Sequence, residues 1–313
     1  MRTARKLALV QLQDELGQKY ADAAGASALA ITDLTRTPYE GNSVERTRLR
    51  YGFGANAQIN TGPYTTVQIT VPLAGSGTAG VAPAFGPLLR ACGVSEVIDE
   101  DAGTVTYQPV SDDYDRVNFW YVYDGEVQQL VDALGTATIT AGAAALPTLQ
   151  ITLTGLYNKP TAFQAGNHPL ENQADEIPVN AQNTPTFTVH GYETVAQSFA
   201  LDFGNTVAYQ NLVNWEGVDI TARASSGQIQ VKAVGVGTHD YFEAMESHQV
   251  TRTGPVRVVH GIEAGNIVEF NGPNAQLSGL SDQDQDGTLH YTMTATYLPS
   301  GTDTDDDWTL TFR

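Results

Sequence analysis

The sequence predicts a mainly β protein with a few short helices. Apolar and polar side chains alternate over many short segments, and β-branched residues are frequent within them. Glycine (30 residues) and proline (14 residues) recur between these segments at intervals typical of turns. Because 41% of the 313 residues are hydrophobic, the chain can also build a large core. We therefore expect β-sandwich or half-barrel domains.

The clearest strand predictions are two segments with strict alternation, 66–71 and 228–234. Alternation with a period of two is typical of a strand that buries one face. Further strands are predicted where β-branched and aromatic residues dominate, at 117–123, 149–153, 256–262, 289–297 and 308–312.

Three helices are predicted. An amphipathic helix over 3–22 follows from apolar side chains at helical spacing, namely Leu9, Leu12, Leu16 and Tyr20. The second helix covers 84–92 and stops at Gly93, and the third covers 240–247 with Asp240 as N-cap. The apolar run near the N-terminus is only four residues long, shorter than a secretory signal requires, so we expect folding in the cytoplasm of the producing cell.

An internal repeat is indicated by two related strands. Residues 148–157 and 288–297 are identical at five of ten positions, at an offset of 140. Segment 66–71 corresponds to 228–234 at an offset of about 162, and each of these is followed by a short predicted helix. The alternative is chance similarity between threonine-rich strands. Duplication predicts two domains, 1–180 and 181–313.

The segment 158–186 has four prolines among polar residues. Proline cannot donate a ladder hydrogen bond, so we expect an extended connector at the end of the first domain.

Composition excludes several classes of protein. The 35 acidic and 16 basic residues give a net charge of −19, which disfavours binding of nucleic-acid phosphates through basic patches. No apolar run is long enough for a transmembrane helix. The single cysteine, Cys92, excludes an intrachain disulfide and a multi-cysteine metal site, and its place on an apolar helix face predicts burial.

One acidic motif has two interpretations. Asp282, Asp284 and Asp286 precede Gly287 with the spacing that opens a calcium loop. The twelfth position, which should be glutamate, is Met293. The alternative is an acidic turn, because Asp-Gly suits a tight hairpin. The three aspartates are therefore only weak calcium candidates, and we expect no metal site.

Other motifs predict no catalysis. The glycine-rich run 75–80 lacks the Gly-Lys-Ser/Thr ending of a phosphate loop, so it is interpreted as a mobile loop. The segment 302–307 is a second acidic turn. The histidines lack zinc-binding spacing, and no nucleophile elbow occurs. We expect no enzyme activity, no catalytic residues and no cofactor.

Several segments resemble the major tail tube proteins of long, non-contractile-tailed bacteriophages. They are the predicted N-terminal helix, the segments 82–94 and 198–205, and the region from Gly265 through Pro273 to Tyr297. The resemblance extends over most of the chain, and 82–94 is its most specific part. It implies two tandem tail-tube-type β-sandwich or half-barrel domains with short helices.

The resemblance also implies a function and partners. The chain would be a structural subunit of the virion tail, assembled in the cytoplasm of the host bacterium. Three copies would form a pseudo-hexameric ring, with a ring of six as the alternative, and rings would stack into a tube through loops such as 30–44, 72–83 and 158–186. Tail tip, terminator and tape-measure proteins would be further partners.

Double-stranded DNA would pass through such a tube without specific binding, and no membrane would be involved. The net charge of −19 then has two interpretations. An acidic wall would repel passing DNA over about a Debye length, ~8–10 Å. Alternatively, the acidity only keeps the free subunit soluble.

A function of another class stays open, a monomeric β-sandwich that binds carbohydrate or acts as an adhesin. Its motivation is the aromatic content, including Trp120, Trp215 and Trp308, which could stack on sugars. A hydrolase that uses scattered carboxylates is a third hypothesis, and no spacing supports it.

Overall fold

The computed structural model describes residues 5–21, 23, 25–163, 166, 168–246, 248, 250–302 and 304–313. It confirms a mainly β fold, with twenty strands and two short helices in this part of the chain. None of these helices is long and apolar enough to cross a membrane.

The elements of the first half, to residue 180, are β1 Lys6–Leu12, β2 Ser27–Leu29, β3 Asp33–Glu45, β4 Gln58–Pro72, α1 Gly86–Arg90, β5 Val94–Asp99, β6 Thr104–Pro109, β7 Val117–Tyr123, β8 Glu126–Gly142, β9 Thr148–Leu156 and β10 Thr161–Ala162. Those of the second half are β11 Thr186–Val189, β12 Tyr192–Glu193, β13 Ala196–Asp202, β14 Asn205–Leu212, β15 Trp215–Arg223, β16 Ser226–Lys232, α2 Tyr241–Met245, β17 Gly254–His260, β18 Val268–Gln285, β19 Thr288–Tyr297 and β20 Thr309–Phe312.

The predicted N-terminal helix over 3–22 is wrong. Residues 6–12 form β1, which lies between β2 and β7. Both faces of β1 are covered: Val10 belongs to the main core, whereas Leu9 packs in a small cluster with Trp120. A strand buried on two faces has a continuous apolar run, which the helical spacing obscured. Leu16, part of the supposed apolar stripe, is exposed.

The other two helices are confirmed within the described residues. Helix α1 begins with proline in its first turn and is followed by Gly93 at φ 71°, as a C-terminal stop requires. The Asp240 side chain accepts from the backbone N–H groups of Phe242 and Glu243, so it caps α2 as predicted. Ser247, the predicted end of this helix, lies outside the described residues.

The same pairing pattern occurs twice along the chain. In the first half, neighbouring strands follow the order β1–β7–β8–β9–β4–β3. In the second half, the order is β11–β17–β18–β19–β16–β13. Helix α1 lies between β4 and β7 in sequence, as α2 lies between β16 and β17. The hairpins β5–β6 and β14–β15 occur in one half each.

Two long strands, β8 and β18, each take part in two pairing regions. The beginning of β8 pairs with β7, and its end pairs with β9 and β13. The beginning of β18 pairs with β17 and β20, and its end pairs with β19. Both strands change partners near a β-bulge, at 132–133 in β8 and 273–274 in β18, where a ladder shifts register.

The halves are joined by strand pairs and by a shared core. Strand β8 pairs with β13, and β6 pairs with β20. The main cluster of buried apolar side chains draws on both halves, for example Phe85 and Phe312, whose ring centroids are 5.8 Å apart. Division into domains at residue 180 therefore stays a prediction.

Candidate assembly interface

The junction between the halves centres on five residue pairs between β8 and β13. They run from Gly142 opposite Ser198 to Thr138 opposite Asp202. The inward-facing side chains are apolar, with Ile139 opposite Leu201 and Phe199 beside them, and all three are buried. Burial of this apolar surface stabilises the union of the two halves.

Asn205, just after β13, ties the halves together by hydrogen bonds. Its Nδ2 donates to the carbonyl oxygens of Cys92 at 2.6 Å and Gly135 at 3.1 Å. Residues 82–94 and 198–205 therefore meet at this junction. Cys92 is buried as predicted, and burial raises the pKa of its thiol.

Glycines allow a second close contact between the halves. A Cβ at Gly75 would lie 2.0 Å from the carbonyl oxygen of Gly265, so no side chain fits there. The Gly77 N–H donates to that oxygen, and the Gly75 N–H donates to Asn266 Oδ1. Gly75 is buried at this contact and Gly77 is exposed, so the loop is anchored to the second half here. Its contact with a neighbouring ring stays a prediction.

The connector 158–186 lies across the same junction. Asn172 O accepts from Ala84 N in the first half, and Asn183 O accepts from Gly261 N in the second. His260 contacts Thr184 Oγ1 through Nδ1 at 2.9 Å and Ile177 O through Nε2 at 3.1 Å. Burial lowers the pKa of His260. The connector therefore covers an internal contact, in addition to any contact it makes with another molecule.

A mostly apolar cavity of about 400 Å³ lies at the junction, with His260 in its wall. Its lining includes Ile139, Ala141, Phe199, Val258, Phe270 and Leu310. Among the described residues, no three histidine, cysteine or carboxylate side chains are arranged to hold a metal ion.

Two strand edges correspond to the joined pair but are open. Strand β3 is the counterpart of β13 in the repeated pattern, and within the described residues it pairs only with β4. The end of β18 is the counterpart of the end of β8, and within the described residues it pairs only with β19. Residues 41–45 of β3 and 281–284 of β18 are exposed. Unpaired edges are templates for pairing with another chain, so both are candidates for intermolecular contact.

The open edge of β3 carries a cation on its inner side. The Arg36 guanidinium lies 4.7 Å from the Tyr121 ring centroid and 4.4 Å from that of Tyr123. Beside it, Lys6 Nζ donates to Leu34 O at 2.7 Å.

The open edge of β18 carries the acidic motif. Asp282 and Asp284 lie along the strand, and Asp286 and Gly287 form the two-residue turn to β19. Both turn residues have positive φ, 50° and 76°, as a type I′ hairpin requires. The segment therefore forms a tight hairpin turn, as the acidic-turn interpretation predicts.

The second acidic turn, 302–307, is largely an internal ion-pair site. Asp305 and Asp307 accept from Arg223 at 2.8 Å and 3.3 Å, and Arg223 also donates to Val110 O in the first half. Asp303 lies outside the described residues.

A further candidate was missed in the sequence, the arm 46–57 between β3 and β4. Its large side chains Leu49, Tyr51 and Phe53 are fully exposed. They alternate with Arg46, Arg48 and Arg50, none of which forms an ion pair with a described residue. Three basic and three large apolar side chains in twelve residues was the available signal.

The tryptophans that suggested sugar binding lie elsewhere. Trp120 and Trp308 are buried, and Trp308 Nε1 donates to Ser225 Oγ at 3.0 Å. Trp215 is half-buried, and its ring packs over Gly217 in the same hairpin.

Comparison with known proteins does not assign the chain. No family model matches it, and no curated protein matches it.

Proposed function

We propose that the chain is a structural subunit of a bacteriophage tail tube and polymerises as stacked rings that form the conduit for genome delivery. The observation that carries this proposal is the relationship between the internal junction and the open edges. Strands β8 and β13 pair within the chain, whereas their counterparts β18 and β3 lack strand partners on their outer edges in the described residues. A second copy of the chain can supply those partners.

Pairing of β18 in one copy with β3 in the next is a head-to-tail contact. Such a contact uses two different surfaces and produces a closed ring when its rotation is a simple fraction of a turn. Closure also removes the exposed edges, which would otherwise favour aggregation. The repeated pairing pattern supports a ring of three chains with six similar units. A ring of six chains is the alternative.

Stacking of rings needs a second surface, and the arm 46–57 is suited to it. Its exposed apolar side chains would lose water on contact, and its three arginines would meet an acidic neighbour. The rest of the chain carries a net charge of about −22, since the arm contributes +3 of the total of −19.

The acidity is compatible with a channel for double-stranded DNA, because like charges reduce adhesion to the wall. It also keeps free subunits soluble. Tail tip, terminator and tape-measure proteins would be the other partners of such a subunit in the virion tail. The function needs no catalytic residue and no cofactor.

The adhesin or carbohydrate-binding alternative finds less support from the tryptophans, although Tyr51 and Phe53 in the arm are exposed. A sugar-stacking platform needs exposed aromatic rings, and two of the three tryptophans are buried.

Electron microscopy of the purified full chain tests the proposal. We expect rings or stacked rings with a central channel as protein concentration rises, and dissociation on dilution. Sedimentation of the same samples gives the assembled fraction independently. Monomers that persist at millimolar concentration, without any ring after chemical crosslinking, would contradict the proposed function.

A further inference from the structure

We infer that neighbouring chains join through a charged version of the internal junction, in which Arg36 on β3 of one copy is seated against two carboxylates of the next copy: Asp284 on β18 and Asp286 in the turn that follows β18. The inference rests on the proposed function, and it names the contacting strands, their register and the side chains that recognise each other.

The register follows from the two halves themselves. The pairs Val67–Leu153 and Ile229–Met293 relate the ladders of the two halves. Through these ladders, Thr35 corresponds to Ser198, since their β4 and β16 partners are Gln68 and Gln230.

The other edge is related in the same way. Thr148 in β9 corresponds to Thr288 in β19 at the offset of 140. Thr140 of β8 lies opposite Thr148, and Gln285 of β18 lies opposite Thr288. Gln285 is therefore the counterpart of Thr140. Transfer of the internal pairs then places Thr37 opposite Gln285, the last residue of β18, and Arg36 beside Asp286 in the turn that follows.

The two junctions differ in the chemistry of their inner faces. Inside the chain, Phe199 lies opposite Ala141, and Ile139 is one alternate position further along β8. Between chains, the corresponding positions hold Arg36, Asp286 and Asp284. An apolar contact is therefore replaced by an arginine against two carboxylates.

An apolar junction suits folding within one chain, and a charged junction suits assembly between chains. The internal junction forms once, as the chain folds, and its apolar side chains are buried. The outer edges must stay soluble in the free subunit, and charged side chains on edge strands prevent indiscriminate pairing. Opposite charges across the ladder then favour the correct partner.

Arg36 is prepared for such a contact. Its guanidinium is held over Tyr121 and Tyr123, and the described ion pairs of the molecule do not include it. Nearby, Lys6 lies 3.6 Å from Asp33. A planar guanidinium stacked on aromatic rings loses little freedom when it binds a carboxylate.

A β-bulge limits the length of this ladder. The pairing of β3 with β4 shifts register between Thr37 and Glu40, and Pro38 has no N–H to donate. The intermolecular ladder is therefore shorter than the five internal pairs, and the charged side chains carry more of the recognition. We expect assembly to weaken as salt rises, because exposed ion pairs are screened.

A charge-exchange experiment on the full chain tests the inference. Arg36→Glu and Asp286→Lys should each raise the concentration for half-assembly at least tenfold, measured by sedimentation. The double variant, with the charges exchanged, should recover most of the loss. The matched control is Glu100→Lys with Asp101→Lys in the exposed β5–β6 turn, which should change assembly less than threefold.

Crosslinking gives a second readout, should a charge variant fold poorly. Residues opposite each other in antiparallel strands have Cα atoms about 4.5–5.5 Å apart, within the range of a disulfide. A chain with Thr37→Cys and Gln285→Cys should form covalent multimers on oxidation, while the buried Cys92 stays unreacted. The control pairs Thr37→Cys with Val213→Cys, at an exposed hairpin tip.

The outcomes separate the inference from the proposed function. If the unaltered chain and the Arg36→Glu and Asp286→Lys variants all form rings equally well, and no specific crosslink forms, the charged junction is overturned. The tube proposal is then left standing. Absence of rings and of crosslinks in every sample would contradict both. Rescue by the exchanged charges, with crosslinking specific to residues 37 and 285, is the expected result.

Discussion

Val67 on β4 lies directly opposite Leu153 on β9, and both side chains are fully buried. In the second half, Ile229 on β16 lies opposite Met293 on β19, again in the core. The offset of 162 relates Val67 to Ile229, and the offset of 140 relates Leu153 to Met293. These are the offsets that the internal repeat has in the sequence. The halves therefore share strand register as well as the order of their elements, which supports duplication of a common unit.

Shortening either buried partner should destabilise the whole molecule. Leu153→Ala and Met293→Ala should each lower the free energy of unfolding by about 2–5 kcal/mol, because each leaves a cavity in a closely packed core. Urea unfolding should show one transition that shifts in both variants, since the core is shared. Leu146→Ala, in an exposed turn, is the control. Two transitions, each sensitive to one variant, would indicate independent halves.

Loss of the Asn205 side chain should weaken the junction between the halves. Asn205→Ala leaves the carbonyl oxygens of Cys92 and Gly135 without this donor, at a cost of about 1–3 kcal/mol. Thermal or urea unfolding measures the change. Asn211→Ala, in the exposed β14–β15 hairpin, should change stability by less than about 0.5 kcal/mol. Equal effects of the two substitutions would mean that Asn205 has no special role.

Stability should fall with acidity in a way that depends on His260. Burial lowers the pKa of His260, so the unfolded chain binds its proton more readily than the folded chain. The contribution of His260 to the free energy of unfolding is fully present above the pKa of histidine in the unfolded chain, about 6.5. It is lost progressively as the pH falls towards the lowered pKa of His260 in the folded chain. His260→Gln should flatten the stability profile between about pH 7.5 and 5.

A residual slope should persist in that variant, because burial also lowers the pKa of His190. Urea unfolding at several pH values measures both effects. A profile that is as steep in His260→Gln as in the unaltered chain would exclude His260 as a source.

The arm 46–57 should be dispensable for folding and necessary for stacking. Replacement of Leu49, Tyr51 and Phe53 by serine removes side chains that are fully exposed, so the free energy of unfolding should change by less than about 0.5 kcal/mol. Rings should still form, but electron microscopy should show few stacks. Serine at exposed Leu212 and Val213 is the control. Normal stacks from the arm variant would exclude the arm from ring-to-ring contact.

The strand predictions succeeded where local pattern and tertiary environment agree. Alternation at 66–71 and 228–234 corresponds to strands that bury one face: 66–71 lies within β4, and 228–232 lies within β16, which ends two residues before the predicted strand does. The first helix prediction failed because Leu9 and Val10 are buried on opposite faces of β1. A run buried on both faces has no alternation to detect, and chance spacing then resembles a helix.

The candidate interface could be predicted only in part. The acidic turn at Asp286 and Gly287 was readable, since its residue types suit positive φ. The proposed contact of this turn with Arg36 was not readable, because the proposal is based on the pairing of β8 with β13, a contact between distant segments. Likewise, sequence separation hides the approach of Gly75 to Gly265, which only the folded chain brings together.

The number of chains in one ring tests the proposed assembly directly. Native mass measurement of rings detached from stacks, together with averaged end-on images, provides it. We expect three chains per ring and six similar lobes around the channel. A ring of six chains would contradict the pseudo-hexameric arrangement. A chain that stays monomeric under all assembly conditions would contradict the proposal that a second copy pairs with the open edges of β3 and β18.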